Sequence, residues 1–403
     1  MNRDAGRAGT CTKGGAGMAN IIDYVLWRGD LPVAQVPLGE VDALILSYLS
    51  YMPLDALEGA QAEDGRVTLA GAAQAMLERN ARGEGGLAYS VKDDRRLLAA
   101  IGQSVRFGTM RVCAFVNRVD GRAEEQFSAV TFLPEAGPAF VAFRGTDNTV
   151  VGWQEDFNMC FESEVPAQRD AAAYAQRMAQ VLPGGLILGG HSKGGNLAVY
   201  AAMFAGGQAR GRIERVYNFD GPGFNEEIVA SSAFGAMDGR VSTFVPQSSI
   251  VGVIMEHDEP FTIVRSDGVG IFQHNPYTWQ VMGGGFIALP ERTGASHFAD
   301  ATFRRWLASL SPEVRRRAIG GIFEVLGAED GRNVADLFEP RRAMGVLRAA
   351  GSMDEETRQA VEETFRLLGE AMRENVPLWM NRTADDLRHR VFGAHAQEEE
   401  TPD

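Results

Sequence analysis

The 403-residue chain predicts an α/β protein built on a mostly parallel sheet, with helices before it and a helical appendage after it. Three observations carry that expectation. Helical periodicity dominates up to about Leu77. Strand-like runs then alternate with helical ones. Beyond about His297 the strands stop and only amphipathic helices follow.

The N-terminal helices come first. In "VDALILSYLSYMPLDAL", Val41, Leu44, Ile45 and Leu49 share one face at three-to-four spacing. The period then changes. "MRVCAFVNRV", "FSAVTFLP" and "AFVAFRG" are short runs rich in Val, Phe and Ala, broken by Gly, Asp and Pro, and they read as consecutive antiparallel strands at a sheet edge. "AQRDAAAYAQRMAQVL" is an alanine-rich helix. After it, "GLILGG", a helix over 195–206, "IERVYNFDG", a helix over 224–235 and "VSTFVP" alternate as parallel strands with crossover helices do. The last helical run places Val361, Phe365, Leu368 and Met372 on one stripe, and Ser352 with Glu355 in capping-box spacing. The expected divisions are a disordered leader over 1–17, a sheet domain over 18–297, a helical appendage over 298–390 and a frayed polar tail over 391–403.

Composition bounds the function. A hydrophobic fraction of 45% and a charged fraction of 23% are globular values, so a sizeable core is expected. A formal net charge of -14 argues against nucleic-acid partners, because phosphate binding needs a basic patch. Cys11, Cys113 and Cys160 are too few, and lack the CxxC spacing, for a disulfide framework or a structural zinc site. No metal or cofactor is expected. The first twenty residues have no apolar h-region and no segment runs eighteen apolar residues, so neither a signal peptide nor a membrane-spanning helix is expected. A cytoplasmic location is the default. The pattern leaves oligomeric state open.

The chemistry centres on "LILGGHSKGGN". An apolar strand runs into Gly190-His191-Ser192-Lys193-Gly194 and then into a helix. That is G-x-S-x-G in strand–turn–helix context, the setting of a nucleophile elbow. Side chains flanking such a turn would clash, and a serine at a helix N-terminus has backbone N–H groups beside it that favour a developing oxyanion. The alternative is an ordinary turn whose serine caps the helix. The context favours Ser192 as a nucleophile. Upstream, a strand ends in Arg144-Gly145-Thr146-Asp147. Thr146 can offer a hydroxyl and a backbone N–H to an oxyanion hole, with the Lys193 backbone N–H as partner. A polar turn capped by Asp147 is the other reading.

"FRGT", then Trp153 and Asp156, then "GHSKGG" and "YNFDGPGFN", resemble the class 3 lipases. More closely, residues 20–285 resemble a lipase-like bacterial family of unknown function, sometimes called Mbeg-like. The resemblance implies an α/β-hydrolase fold, a serine nucleophile and hydrolysis of an ester, lipid or amide. The expected ligand is then a small-molecule acyl ester or lipid.

Chain order in that fold is serine, acid, histidine, which excludes His191 as the base. His274 lies shortly before Trp279, where class 3 lipases carry their histidine. His257, in the charged and helix-like "MEHDE", reads as solvated, and His297 as a helix cap. For the acid this chain departs from the family. The loop after "VSTFVP" reads "QSSIVG" and holds no carboxylate. Asp220, at the end of the preceding strand, is preferred because a strand end holds a carboxylate rigidly. Glu256 and Asp258 are the alternatives, and a turn role for Asp220 before Gly221-Pro222-Gly223 also competes. The stretch 250–257 reads either as a lid or as a core-packing helix. Two functions follow: a serine hydrolase, or a non-catalytic binding protein that kept the elbow and lost the acid.

Overall fold

The structure is a computed structural model and describes residues 18–84, 86–88, 90–147, 149–237, 239–327, 351 and 353–396. The leader expected over 1–17, part of the tail, Ser352 and Cys11 lie outside those residues.

Five helices open the chain: α1 (Ile21–Arg28), α2 (Glu40–Leu49), then, after strand β1 (Val67–Thr68), α3 (Leu69–Ala81), α4 (Val91–Gln103) and α5 (Val105–Gly108). Their starts follow capping rules. The Asn20 side chain accepts from the Ile22 N–H at 2.9 Å, and the Asp23 carboxylate accepts from the Asn20 N–H, a reciprocal box that satisfies donors the helix cannot. Three strands follow, β2 (Arg111–Asp120), β3 (Glu125–Leu133) and β4 (Ala139–Phe143). Both hairpin pairings, β2 with β3 and β3 with β4, are antiparallel, as the sequence predicts.

From β4 onward the chain winds in parallel. Helices α6 (Val150–Met159) and α7 (Pro166–Val181) lead to β5 (Leu186–His191). Helices α8 (Lys193–Phe204) and α9 (Gly207–Arg212) lead to β6 (Ile213–Phe219). The stretch expected as one helix over 224–235 is two single turns, α10 (Glu226–Val229) and α11 (Ser232–Gly235). Asn225 and Ser231 each start a new cap, so the helix cannot run through. Strands β7 (Val241–Pro246) and β8 (Phe261–Val264) continue the sheet. A short hairpin, β9 (Val281–Met282) with β10 (Gly285–Phe286), precedes β11 (Ala288–Leu289), which closes the sheet antiparallel to β8.

Among the described residues the sheet holds nine strands in the order β1-β2-β3-β4-β5-β6-β7-β8-β11. Parallel strands placed in sequence order, joined by right-handed crossovers, put all their helices on one face. The other face would be bare. That is what the N-terminal helices cover. Side chains alternate accordingly: Phe140, Ala142, Ile187, Tyr217 and Phe219 join the core with α1–α5, whereas Val141, Phe143, Leu186, Leu188 and Val216 join the core with α7 and α8. This is an α/β-hydrolase-like architecture, a mostly parallel sheet with N-terminal helices and a C-terminal helical extension.

The extension is α12 (Gly294–Ser309), α13 (Pro312–Gly327) and α14 (Glu355–Ala396). Helix α12 begins before the expected boundary at 298, and α14 carries through residue 396 where fraying was expected from 391. The stripe expected to be buried on α14 is only partly so. Phe365 is 60% exposed and Met372 is also exposed, while Ala360, Thr364 and Ala371 face inward. Small residues let α14 approach α12 closely, so the packed face turns toward them. No described helix is long and apolar enough to cross a membrane.

Candidate active site

The site lies at the carboxyl ends of the parallel strands, where register aligns Phe143 with Gly190 and His191 with Phe219. One residue beyond each strand end come Arg144, Ser192 and Asp220. Such edges are where open α/β sheets bind ligands.

Ser192 sits between β5 and α8 with φ 59° and ψ -137°, a backbone conformation costly for any side chain. Backbone bonds hold it there: its N–H donates to the Phe219 carbonyl at 2.9 Å, and its carbonyl accepts from the Gly195 N–H at 2.8 Å. The flanking glycines are needed for space. A Cβ on Gly190 would come 2.1 Å from the Gly194 backbone, and one on Gly194 would come 2.1 Å from the Phe143 carbonyl oxygen. The loop after β4 presses on the same point, since a Cβ on Gly145 would lie 2.9 Å from the Ser192 Cβ. Thus Thr146 follows a residue in contact with Ser192.

Asp220 reaches His274. Its Oδ2 lies 2.7 Å from His274 Nδ1. The carboxylate is only 1% exposed and His274 is 17% exposed. Asp220 takes φ 52°, a left-handed conformation that turns its side chain off the strand end. Its other oxygen, Oδ1, accepts from the Ser249 hydroxyl and from the Gly252 N–H at 3.1 Å. The loop that lacks a carboxylate therefore supplies donors to one. A carboxylate oxygen accepts this bond, so Nδ1 of His274 is its donor and Nε2 is the nitrogen left to face elsewhere.

His274 ends a 3-10 turn, Gly270–His274, which is clamped from three sides. The Trp279 indole donates to the Gln273 carbonyl at 2.8 Å, and the Ser248 N–H to Gln273 Oε1 at 2.9 Å. His191 Nε2 contacts the His274 carbonyl at 2.7 Å. A carbonyl only accepts, so His191 is protonated on Nε2, and its Nδ1 faces the Tyr51 hydroxyl at 3.1 Å. Burial, with a further contribution from His274, drives the His191 pKa well below 6.5 against the opposing pull of that carbonyl. His191 is a clamp and stays neutral. The rings of His191 and His274 lie 4.4 Å apart, which brings His274 beside the turn that carries Ser192. Among the described residues the Ser192 hydroxyl makes no hydrogen bond. Such contacts are often long in substrate-free sites and tighten on binding.

The alternative acids do not reach His274. Glu256 pairs with Arg304, and its backbone bridges Phe224. Asp258 is exposed. The stretch 250–257 is neither a free lid nor a helix: it forms a 3-10 turn, Val251–Val253, with Gly252, Val253 and Met255 buried. His257 is not solvated as expected. It is half-buried against Glu259 at 3.2 Å, in chain that is not helical. His297 lies inside α12, where Thr293 is the cap.

The structure places the two oxyanion candidates differently from each other. The Thr146 hydroxyl donates to Asp156, leaving the Thr146 backbone N–H as what it can offer. Burial raises the Asp156 pKa to about 6 while Lys193 and Thr146 hold it down, although the side chain keeps about a quarter of its exposure at 27%. The Lys193 backbone N–H opens α8, where no intrahelical acceptor exists for it. Its side chain turns inward and is 1% exposed, which the sequence reading did not foresee. Val269, Ile271 and Phe272 stand exposed on and just before the turn that carries His274. Among the described residues no cluster of metal-binding side chains forms.

A crystal structure of M37 lipase resembles this chain with a TM-score of 0.34 and 14% identity, covering 54% of this chain and 70% of that one. At that distance no residue role passes from one chain to the other. No curated protein matches. A family model described as Mbeg1-like matches residues 101–324, which include β2 to β8, Ser192, Asp220 and His274. Since that match spans more than half of the 403 residues, the chain belongs to the Mbeg1-like family.

Proposed function

We propose that the protein is a serine hydrolase that cleaves an acyl ester, or an amide, through an acyl-enzyme intermediate. The observation that carries this reading is the 2.7 Å contact between Asp220 and His274, made beside a serine held at positive φ. Ser192 Oγ attacks the acyl carbonyl as its proton passes to Nε2 of His274. Asp220 holds Nδ1–H and stabilises the imidazolium that forms. The backbone N–H groups of Lys193 and Thr146 receive the oxyanion. His274 then protonates the leaving group, and water, deprotonated by the same nitrogen, releases the acid. The apolar Val269, Ile271 and Phe272 beside His274 support an acyl chain at the mouth.

A fluorophosphonate probe tests this directly, because only an activated serine reacts with it at neutral pH. Labelling should map to Ser192, and Ser192→Ala should abolish both labelling and hydrolysis of short p-nitrophenyl esters, with turnover down on the order of 10⁶. Folding should persist in that variant. An unlabelled wild-type protein, or a fully active Ser192→Ala, would leave the non-catalytic binding protein as the better reading.

A further inference from the structure

The side chain of Lys193 occupies an unusual place. A cation in the first turn of a helix opposes the dipole, and one with no exposure must also lose its hydration. Both costs are met at one point. The three N–H bonds of the ammonium find the Gln126 carbonyl, the Gln126 Oε1 and Glu155 Oε2, each at 2.9 Å. Glu155 is itself fully buried and fully engaged. It accepts from the Gln126 N–H at 3.0 Å on one oxygen and from the Ala167 N–H at 2.9 Å on the other. The network thus pins β3, α6 and the start of α7 to the residue that follows Ser192.

It also reaches the opposite side of the site. Asp156, next to Glu155 on α6, has Oδ1 3.8 Å from the same ammonium and no hydrogen bond on that atom. Its other oxygen accepts from the Thr146 hydroxyl. One charge therefore stands between two carboxylates, one holding Lys193 and the other holding Thr146. Those two residues carry the N–H groups assigned to the oxyanion.

Resting on the hydrolase reading above, we propose that the Lys193 ammonium and Glu155 are positioning residues that set the two halves of the oxyanion hole relative to each other. Neither touches substrate. A merely structural ion pair would change stability alone, whereas a positioning pair changes how well the tetrahedral state is held.

Two variants and one analogue test it. Lys193→Met removes the charge and its three hydrogen bonds while keeping most of the length of the side chain. Glu155→Gln is milder, because its amide oxygen still accepts from Lys193 while the Ala167 contact is lost. In folded protein, kcat should fall by about 10–100-fold for Lys193→Met and by less for Glu155→Gln, with KM within about twofold. Inhibition by an alkyl boronic acid, whose adduct on Ser192 puts an oxygen where the oxyanion forms, should weaken by the same factor as kcat. Unchanged kcat, a loss confined to KM, or boronate affinity that does not follow kcat would overturn the proposal. So would failure of both variants to fold, since the pair would then be a folding element. Failure of the hydrolase reading is distinguishable: the wild-type protein itself would then show no labelling and no esterase activity.

Discussion

At Asp220 a single carboxylate answers two sets of donors, and the division between its oxygens decides what an asparagine there would do. The Ser249 hydroxyl and Gly252 N–H claim Oδ1, so the amide oxygen of Asp220→Asn takes that side and its NH₂ faces His274. Nδ1 must then become an acceptor, and the proton moves to the nitrogen that should receive one from Ser192. Turnover should fall by about 10⁴ with the fold intact, measured as steady-state ester hydrolysis beside a thermal melt. Glu256→Gln, whose parent pairs with Arg304, should cost less than about tenfold. A large loss in Glu256→Gln with a small one in Asp220→Asn would reverse the assignment. Much of this is legible in the residues themselves. Ser192 stands out because glycines flank it between an apolar strand and a helix, and Asp220 because it ends a strand. The inward turn of Lys193 is not legible, since "GHSKGG" reads the same whether that side chain faces water or Glu155. The available signal was its place against the helix dipole. His257 misleads in the opposite way: the charges around it suggest solvent, but one of them, Glu259, is its half-buried partner.

The elements divide by whether a local rule or a tertiary contact decides them. Strands β2 to β7 follow the alternation of apolar runs and punctuating Gly, Asp and Pro, so they are read from sequence nearly as they stand. Helix α14 is not, because periodicity marks large apolar residues, whereas close packing selected Ala360, Thr364 and Ala371. The 3-10 turn carrying His274 is invisible to periodicity altogether. It is held by its neighbours, His191 among them, and that gives it a pH limit. Folded His191 takes a proton only well below pH 6.5, while the unfolded chain takes it near 6.5. The unfolded state then binds more protons between those values, so stability is complete above about pH 6.5 and declines as pH falls, by up to about 1.4 kcal/mol per pH unit from this one group. Urea unfolding across pH 5 to 8, wild type beside His191→Gln, measures it. Parallel slopes for the two proteins would remove His191 as the cause.

Across the whole molecule, a buried hydroxyl is among the links that join the helical extension to the site. Ser296, fully buried near the start of α12, donates to the Ser249 carbonyl at 2.7 Å, and Ser249 is the residue whose own hydroxyl holds Asp220. A chain ended after residue 293 leaves that carbonyl without its partner, a loss of about 1–3 kcal/mol before any lost packing is counted. We expect a lower urea midpoint and slower fluorophosphonate labelling of Ser192 in that shortened chain, and equal labelling rates would show the extension to be independent of the site. Ser192 and Asp220, meanwhile, follow neighbouring strand ends and both hold positive φ. Ser192, whose hydroxyl makes no hydrogen bond among the described residues, would relax if replaced by glycine, which adopts that backbone freely, whereas Asp220 is needed by the donors it answers. Breeding the protein for heat resistance alone would therefore favour glycine at Ser192, and so would erase the hydroxyl that the proposed chemistry uses. Folding alone thus gives no reason for a serine at this position.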